Sequence, residues 1–459
     1  MKLKKNDLLT LEITDITNLG FGVAKHGGEV LFISGAVTGD VVEAKIIKAS
    51  TSFLVGRVER FVKLSELRTE NRCNNSACRA CAYKSIGYGH ECRAKEDGVR
   101  AIFKKMGLPS IEILPVTPSP RECGYRNKAQ YPVAKTKDGY AIGFFAPKSH
   151  RVTEAAYCPL APSEFPKILE LLRAFFERHG LSVYEEESGE GVLRHIYLRR
   201  GEVSGEILVT LVINGTTLPY SDELVLDLTS ADENIVGILL NVNKSDTNVI
   251  LGDKFITLYG RDYIFDTLAG VKLKITAPSF YQVNHDAAEL LYAKARELAA
   301  PTDNDLLLDL YCGAGSIGLS MAKDAREVIG IEIVESAVEC AKFNARENGI
   351  ENASFYAGDA KDTEKLLLPA EKARGEKILP DIVVLDPPRG GSDEALLRHI
   401  VSLDPKKIVY ISCNPATLAR DMAILAPLGY TSDKVYLFDL FPMTGHVESV
   451  VCLQRQIQQ

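Results

Sequence analysis

Apolar and polar positions alternate over short runs at the start of the chain. "LLTLEITDI", "GVAKHGG", "EVLFIS", "DVVEAKIIKAS" and "FLVGRVERFV" follow one another within residues 1–62, punctuated by glycines and a Gly27-Gly28 turn. Short strands spaced in this way predict a small closed β-barrel of the OB-like kind. Residues 63–120 are charged and cysteine-bearing, and "HECRAKEDGVRAIFKKMG" predicts a helix closed by Gly107 ahead of Pro109. Residues 121–270 read mostly as strand, with one clear helix in "SEFPKILELLRAFFERHG". From 271 the period changes again. "DLLLDLYCG", "EVIGIEIV", "ASFYAGD", "DIVVLDPP", "KIVYIS" and "SVVCLQR" are separated by helical stretches, which predicts a parallel, doubly wound sheet. The expected organisation is multidomain α/β: a barrel over 1–62, a central α+β domain over 63–270, and an α/β domain over 271–459.

At 459 residues the chain is too long for one core, in keeping with that division. Hydrophobic residues make up 46 %, yet no window approaches a membrane span, so no membrane partner is expected. The N-terminal lysines have no continuous apolar core behind them, so no signal peptide is expected and the location is expected to be cytoplasmic. The ten cysteines then read as ligands, nucleophiles or packing rather than as a disulfide framework. A net charge of −7 does not advertise nucleic-acid binding. Locally the balance reverses: Arg121, Arg126, Lys128, Lys135, Lys137, Lys148 and Arg151 face only Glu122 and Asp138, and "RHIYLRRG" follows at Arg194–Gly201. Interleaved with Tyr125, Tyr131 and Tyr140, these cations suit phosphates and stacked bases, or else form an ordinary solvated sheet face.

"LLLDLYCGAGSIGLSMA" reads as strand, glycine turn and helix. Gly313, Gly315 and Gly318 fit G-x-G-x-x-G, and Glu332 ends the next strand, where a carboxylate would hold two ribose hydroxyls. Alone, this pattern suits either NAD or S-adenosylmethionine. Asp309 just before the turn and "LDPPRGG" at a later strand end resemble motifs of S-adenosylmethionine-dependent methyltransferases; a dinucleotide enzyme is the rival. Where adenine-N-methylating enzymes follow the prolines with an aromatic, this chain has Arg389.

The following strand delivers Cys413 into the Asn414-Pro415 turn of "YISCNPATLARD". A small cysteine there is either packing or a nucleophile at a carboxyl-terminal strand edge. Carbon 5 of uracil accepts a methyl group only after a thiolate has added to carbon 6, and a base must then take the carbon-5 proton. Glu448, at the start of the last apolar strand in "FPMTGHVESVVCLQ", is a candidate for that base.

"SCNPATLARD", "DPPRGG", "DLYCGAGSIG", "SFYQVN" and "HVE" together resemble the RNA uracil-5-methyltransferases, and the N-terminal barrel resembles the TRAM domain carried by the 23S ribosomal RNA members. The resemblance spans nearly the whole chain and implies a Rossmann-like methyltransferase domain at its end. By this similarity Cys413 is the nucleophile and Glu448 the base. Gln282, Tyr311, Ser316, Glu332, Asp359 and Asp386 are the S-adenosylmethionine contacts, and Phe280 stacks in the RNA beside an extruded uracil. Arg126, Lys128 and Arg389 are expected RNA contacts. The implied reaction is methylation of carbon 5 of a uridine, in 23S ribosomal RNA because the barrel is present. The alternatives are a transfer RNA uracil-5-methyltransferase and a non-catalytic RNA-binding assembly factor.

"CNNSACRAC" clusters Cys73, Cys78 and Cys81, and "AAYCPLAP" adds Cys158. Three close thiolates and a distant fourth suit zinc or a [4Fe–4S] cluster. The resemblance implies the iron–sulfur cluster. The first gap is one residue shorter than the C-x₅-C expected, which keeps zinc as the alternative. Cys92, Cys123, Cys312, Cys340 and Cys452 are read as packing residues.

Overall fold

The computed structural model describes residues 3–456 except Asn74, Ser76 and Lys148. Lys148, one of the cations counted above, therefore lies outside the described residues.

The N-terminal strands are β1 (Leu8–Glu12), β2 (Asp15–Ile16), β3 (Phe21–His26), β4 (Glu29–Ser34), β5 (Val41–Ala49) and β6 (Leu54–Lys63). Their alternation buries Leu11, Ala24, Leu31, Ile33, Val42, Ala44 and Ile46 in one small core. The sheet runs β1-β5-β6-β4-β3-β2. The order starts and ends on different strands, so this is a half-barrel and not the closed barrel expected. The two-residue β2 is too short to pair on both sides.

Helix α1 (Tyr88–Lys105) and strand β7 (Glu112–Thr117) follow. The central sheet consists of β8 (Lys128–Thr136), β9 (Gly139–Phe145), β10 (Val152–Glu154), β11 (Leu193–Arg200), β12 (Ile207–Ile213), β13 (Ile235–Val242) and β14 (Lys254–Gly260), ordered β10-β9-β8-β11-β12-β13-β14. Helices α2 (Glu164–His179) and α3 (Ser221–Ala231) seal one face over Ile168, Leu172, Phe176, Ile196 and Leu198. The amphipathic α2 ends at Gly180 with φ of 58°, a left-handed cap that glycine adopts without a Cβ clash. Helix α3 is a second helix where one was expected. Its buried anchors are only Leu224 and Leu228, too few to stand out as a helical period.

The hairpin β15 (Tyr263–Leu268) and β16 (Val271–Thr276) leads through residues 277–284 into α4 (His285–Ala299). Then come β17 (Leu306–Leu310), α5 (Ser316–Met321), β18 (Glu327–Glu332), α6 (Glu335–Glu347), β19 (Ala353–Ala357), α7 (Thr363–Arg374), β20 (Ile382–Leu385), α8 (Glu394–Ser402), β21 (Lys407–Ser412), α9 (Pro415–Leu425), β22 (Tyr430–Thr431), β23 (Lys434–Phe438) and β24 (Glu448–Arg455). The order is β19-β18-β17-β20-β21-β24-β23-β7. β17 to β21 are parallel, as expected; β17, β18, β20 and β21 are buried over nearly their whole length, whereas edge strand β19 buries only Phe355. β24 runs antiparallel to β21 and β23, and β7 joins the far edge parallel to β23. The strand order reverses between β17 and β20, where the carboxyl ends of the strands open a crevice.

Candidate active site

Backbone geometry builds the crevice first. Beyond β17 the chain turns through Tyr311, whose φ of 64° is a sparsely populated region for a tyrosine, and through Gly313 and Gly315 with φ of 54° and 82°. Nothing lies within 4 Å of where a Cβ on Gly313 would sit, so the loop is open there. Glu332, at the end of β18, accepts from the Gly313 N–H at 3.1 Å and the Val334 N–H at 2.9 Å. Its carboxylate is thus fixed over the glycine turn. Asp309 is buried and accepts from the Gly318 N–H at 2.9 Å, while its Oδ1 has no partner. Burial pushes its carboxyl up to about 7, helped by Asp386 and Glu332 nearby and opposed by the Gly318 bond.

The other residues expected to contact the cofactor have these surroundings. Ser316 Oγ shares a 2.9 Å hydrogen bond with the Tyr292 hydroxyl of α4. Gln282 is buried, its carbonyl accepting from Asn127 Nδ2 at 2.9 Å. Asp359 follows β19 and is engaged locally, capping the Lys361 N–H and pairing with Lys361 Nζ at 2.8 Å. Asp386 directly follows β20, and burial pushes it up to about 7. Phe280, in the loop ahead of Gln282, is 67 % exposed. A phenylalanine so exposed has no packing role.

Cys413 and Glu448 meet through the sheet register. Ser412 pairs with Ser449, so Cys413, just beyond β21, and Glu448, the first residue of β24, leave that pair side by side. Asn414 then caps α9, accepting from the Ala416 N–H, while its Nδ2 donates to the Arg389 carbonyl at 3.0 Å. The "SCNP" turn is thereby tied to the "DPPR" turn. Glu448 is buried, and this, with Asp386 adding and Arg389 opposing, pushes it up to about 8. The half-buried Cys413 thiol is also raised, by burial first, then by Glu448 and Asp386, with Arg389 opposing. His446 is pushed down by burial and by the cations Arg389, Lys95 and Arg126. The arrangement is a thiol, a basic carboxylate and a cation at one strand edge, beside an open glycine turn.

Three residues of this network were not apparent in the sequence. Lys95 of α1 is buried, pairing with Glu91 and with Asp439 at 2.7 Å each. It ties α1 to the loop that carries His446 and Glu448, and Met443 in that loop has φ of 68°. Glu91 is pushed up to about 7 by burial, with Lys95 opposing and Asp439 adding. Lys95 and Asp439 lie 344 positions apart, so no local pattern links them.

The basic stretch divides. Arg126 and Lys128 are part-exposed, and burial with neighbouring Arg199 and Arg126 pushes Lys128 down to about 8. The tyrosines interleaved with these cations are on no solvated face, neither stacking on bases nor lining an ordinary surface: Tyr125, Tyr131 and Tyr140 are 0 %, 0 % and 4 % exposed, because strand alternation turns Tyr131 and Tyr140 into the core under α2. Arg194 and Arg199 of the second cluster are likewise buried, donating to backbone carbonyls.

Cys73, Cys78, Cys81 and Cys158 converge from two segments. Cys81 is pushed up to about 12, by burial first and then by the nearby Cys158, Cys78 and Cys73 thiols, with Arg126 opposing. By chemistry alone, four thiols are the donor set of a tetrathiolate group. As they stand, however, no three or more Cys, His, Asp or Glu among the described residues are arranged to hold a metal ion. Asn74 and Ser76, inside the cysteine loop, lie outside the described residues.

The model of a family described as tRNA (Uracil-5-)-methyltransferase matches residues 87–456, and that of the TRAM domain matches residues 2–58. An uncharacterized RNA methyltransferase of Halalkalibacterium halodurans is 38 % identical over 454 residues, 98 % of either chain. One from Enterococcus faecalis is 39 % identical over 457 residues, 99 % of either chain. Among solved structures, the Pyrococcus abyssi tRNA (uracil-54, C5)-methyltransferase in complex with S-adenosyl-L-homocysteine superposes with a TM-score of 0.77 at 28 % identity, covering 97 % of this chain and 99 % of that one.

Proposed function

The chain belongs to the S-adenosylmethionine-dependent RNA (uracil-5-)-methyltransferases that carry an N-terminal TRAM domain, and from that premise we propose that it methylates carbon 5 of a uridine through a covalent Cys413 adduct. The observation that carries this reading is the Ser412–Ser449 register, which sets Cys413 beside Glu448. The Cys413 thiolate forms a bond to carbon 6 of uracil, and the electron pair moves to carbon 5 and its conjugated carbonyl. Arg389, the cation that favours ionised Cys413, stabilises that developing negative charge. S-adenosylmethionine supplies, when bound, an electrophilic methyl group to carbon 5. Glu448 then takes the carbon-5 proton, the carbon 5–carbon 6 double bond re-forms, and the sulfur leaves as thiolate. Burial makes Glu448 more basic than an ordinary carboxylate, which suits proton abstraction near neutrality.

Glu332 is assigned the ribose hydroxyls, and Gln282, Tyr311, Ser316, Asp359 and Asp386 the remaining cofactor contacts; the open turn at Gly313 supports this assignment. Phe280, Arg126, Lys128 and Arg389 are assigned to the RNA. The domain limits 1–62, 63–270 and 271–459 are assigned to RNA grip, thiol-bearing centre and catalysis, except that α1 and β7 of the second segment pack into the core and sheet of the third. Cys73, Cys78, Cys81 and Cys158 are assigned a [4Fe–4S] cluster. Protein purified without oxygen should then contain iron and labile sulfide, lost in Cys158→Ser; stoichiometric zinc instead would reassign the site.

The acceptor proposed is 23S ribosomal RNA. A transfer RNA acceptor is the second reading, favoured by the Pyrococcus structure. That match covers 97 % of this chain and so includes most of the barrel region, and a barrel therefore does not by itself separate the two classes. Incubating the protein with labelled S-adenosylmethionine and either 23S fragments or transfer RNA distinguishes them. Label in 23S RNA is expected; label in transfer RNA alone would make the second reading the correct one.

A further inference from the structure

A recess of about 520 Å³ opens beside Cys413, on a side walled by the half-barrel and α1. Its walls come from three distant parts of the chain: Ile16 and Asn18 at the end of β2, Gly98 of α1, and Arg389, Cys413 and His446 of the catalytic edge. None of the cofactor contacts proposed above lines it. The volume accommodates a nucleotide and is within the usual range for small-molecule sites.

The walls are fixed in place. A Cβ on Gly445 would sit 1.8 Å from the Asn18 carbonyl oxygen, so the barrel backbone lies directly against the catalytic loop. The Tyr83 N–H donates to the Met443 carbonyl at 2.9 Å, and buried Lys95 clamps α1 to Asp439 from beneath. On α1, Ala94, Gly98 and Ala101 recur at helical spacing and keep that wall low.

The chemistry of the lining suits one base and one phosphate. Ile16, Ala101 and Ile102 offer apolar surface to a base face. Arg389 is exposed at the rim and makes no ion pair among the described residues. The carboxylates present are already engaged: Asp15 accepts from the Ile16 N–H at 2.7 Å, and Asp97 pairs with Arg100 at 2.9 Å.

We propose that this recess receives the base of a nucleotide neighbouring the target uridine, so that the barrel and α1 read sequence context while Cys413 engages the uracil. The inference rests on the RNA methylation reading and names part of its substrate recognition. A flanking base turned out of its stack would let the backbone bend far enough for the uridine to reach the thiol.

Gly98 provides the test. It is exposed within α1, and a Cβ there would meet nothing within 4 Å. Gly98→Leu therefore adds bulk to the recess from a position whose Cβ is unobstructed and replaces a helix-weakening glycine, so it is expected to fold at least as well as wild type. The probes are synthetic fragments of whichever RNA the wild-type protein methylates, carrying an abasic site immediately before or after the target uridine. Removing one of these bases should raise the wild-type KM for RNA by about tenfold, the equivalent of roughly one stacked base. Gly98→Leu should raise KM similarly on the intact fragment, be insensitive to the same abasic site, and leave S-adenosylmethionine affinity unchanged. Equal KM for the intact and both abasic fragments would overturn the proposal, as would a Gly98→Leu enzyme that still discriminates among them. Failure of the wild-type protein to methylate any RNA would instead overturn the underlying reading.

Discussion

Replacing Glu448 by glutamine should stabilise the protein in alkaline solution while abolishing product release. Glu448 is held at about 8 against an ordinary 4.5, chiefly because it is buried and secondarily because Asp386 faces it. A carboxyl whose folded-state value is raised contributes stability that is fully present below 4.5 and is lost as pH rises through 8. The ceiling on that loss is roughly 5 kcal/mol, at about 1.4 kcal/mol for each pH unit between the two values. Part of it is shared with Asp386, which ionises more easily beside a neutral glutamine, so a net gain of about 2–4 kcal/mol above pH 9 is expected for the variant. Asp309, Asp386 and Glu91 are also raised but are common to both proteins, so the difference isolates position 448. Urea unfolding of the cofactor-free proteins at intervals from pH 4.5 to 9.5 measures it. The two stabilities should coincide at the acid end and separate progressively towards pH 8. Curves that stay parallel throughout would mean that Glu448 ionises as a solvated carboxylate, and its assignment as a basic proton acceptor would fail.

Glu332→Ala should weaken S-adenosylmethionine binding by about 1–3 kcal/mol in calorimetry, the value of hydrogen bonds to a charged group. Lys95→Met leaves Glu91 and Asp439 facing each other in the interior and should cost about 3–5 kcal/mol of stability in denaturant unfolding. Gly445→Ala forces a Cβ against the Asn18 carbonyl and should destabilise by roughly 1–3 kcal/mol, with faster proteolysis between the half-barrel and α1.

How much of this was legible follows from the range of each signal. Cys413 and Asp386 stand at the ends of apolar strands next to Asn414-Pro415 and Pro387-Pro388, turn residues that mark strand ends locally, while Glu332 was legible as the acidic end of the strand after the glycine turn. The burial of the tyrosines at 125, 131 and 140 is not legible, because composition shows which residues share a strand but not which face each takes. Tyr131 belongs to the core, whereas Lys128 on the same strand does not. Closure of the barrel is not decided by strand count, which does not reveal that β1 and β2 lack a common partner. The Lys95–Asp439 pair, the Tyr292–Ser316 hydrogen bond and the Asn18–Gly445 contact each join segments far apart in the chain. Only the folded topology brings them together. The thiol centre was legible as a spacing, while its geometry depends on a loop that spacing does not determine.

The central claim is the covalent bond between Cys413 and carbon 6 of the target uracil. Methylation-competent RNA carrying 5-fluorouridine at the target should trap the wild-type protein in the presence of S-adenosylmethionine, because fluorine leaves no carbon-5 proton for Glu448 to remove. Mass spectrometry of the nuclease- and protease-digested adduct should place the nucleotide on the peptide containing Cys413, and Cys413→Ala should yield no adduct and no methylated product. A nucleotide on any other residue, or methylation retained by Cys413→Ala, would contradict the account.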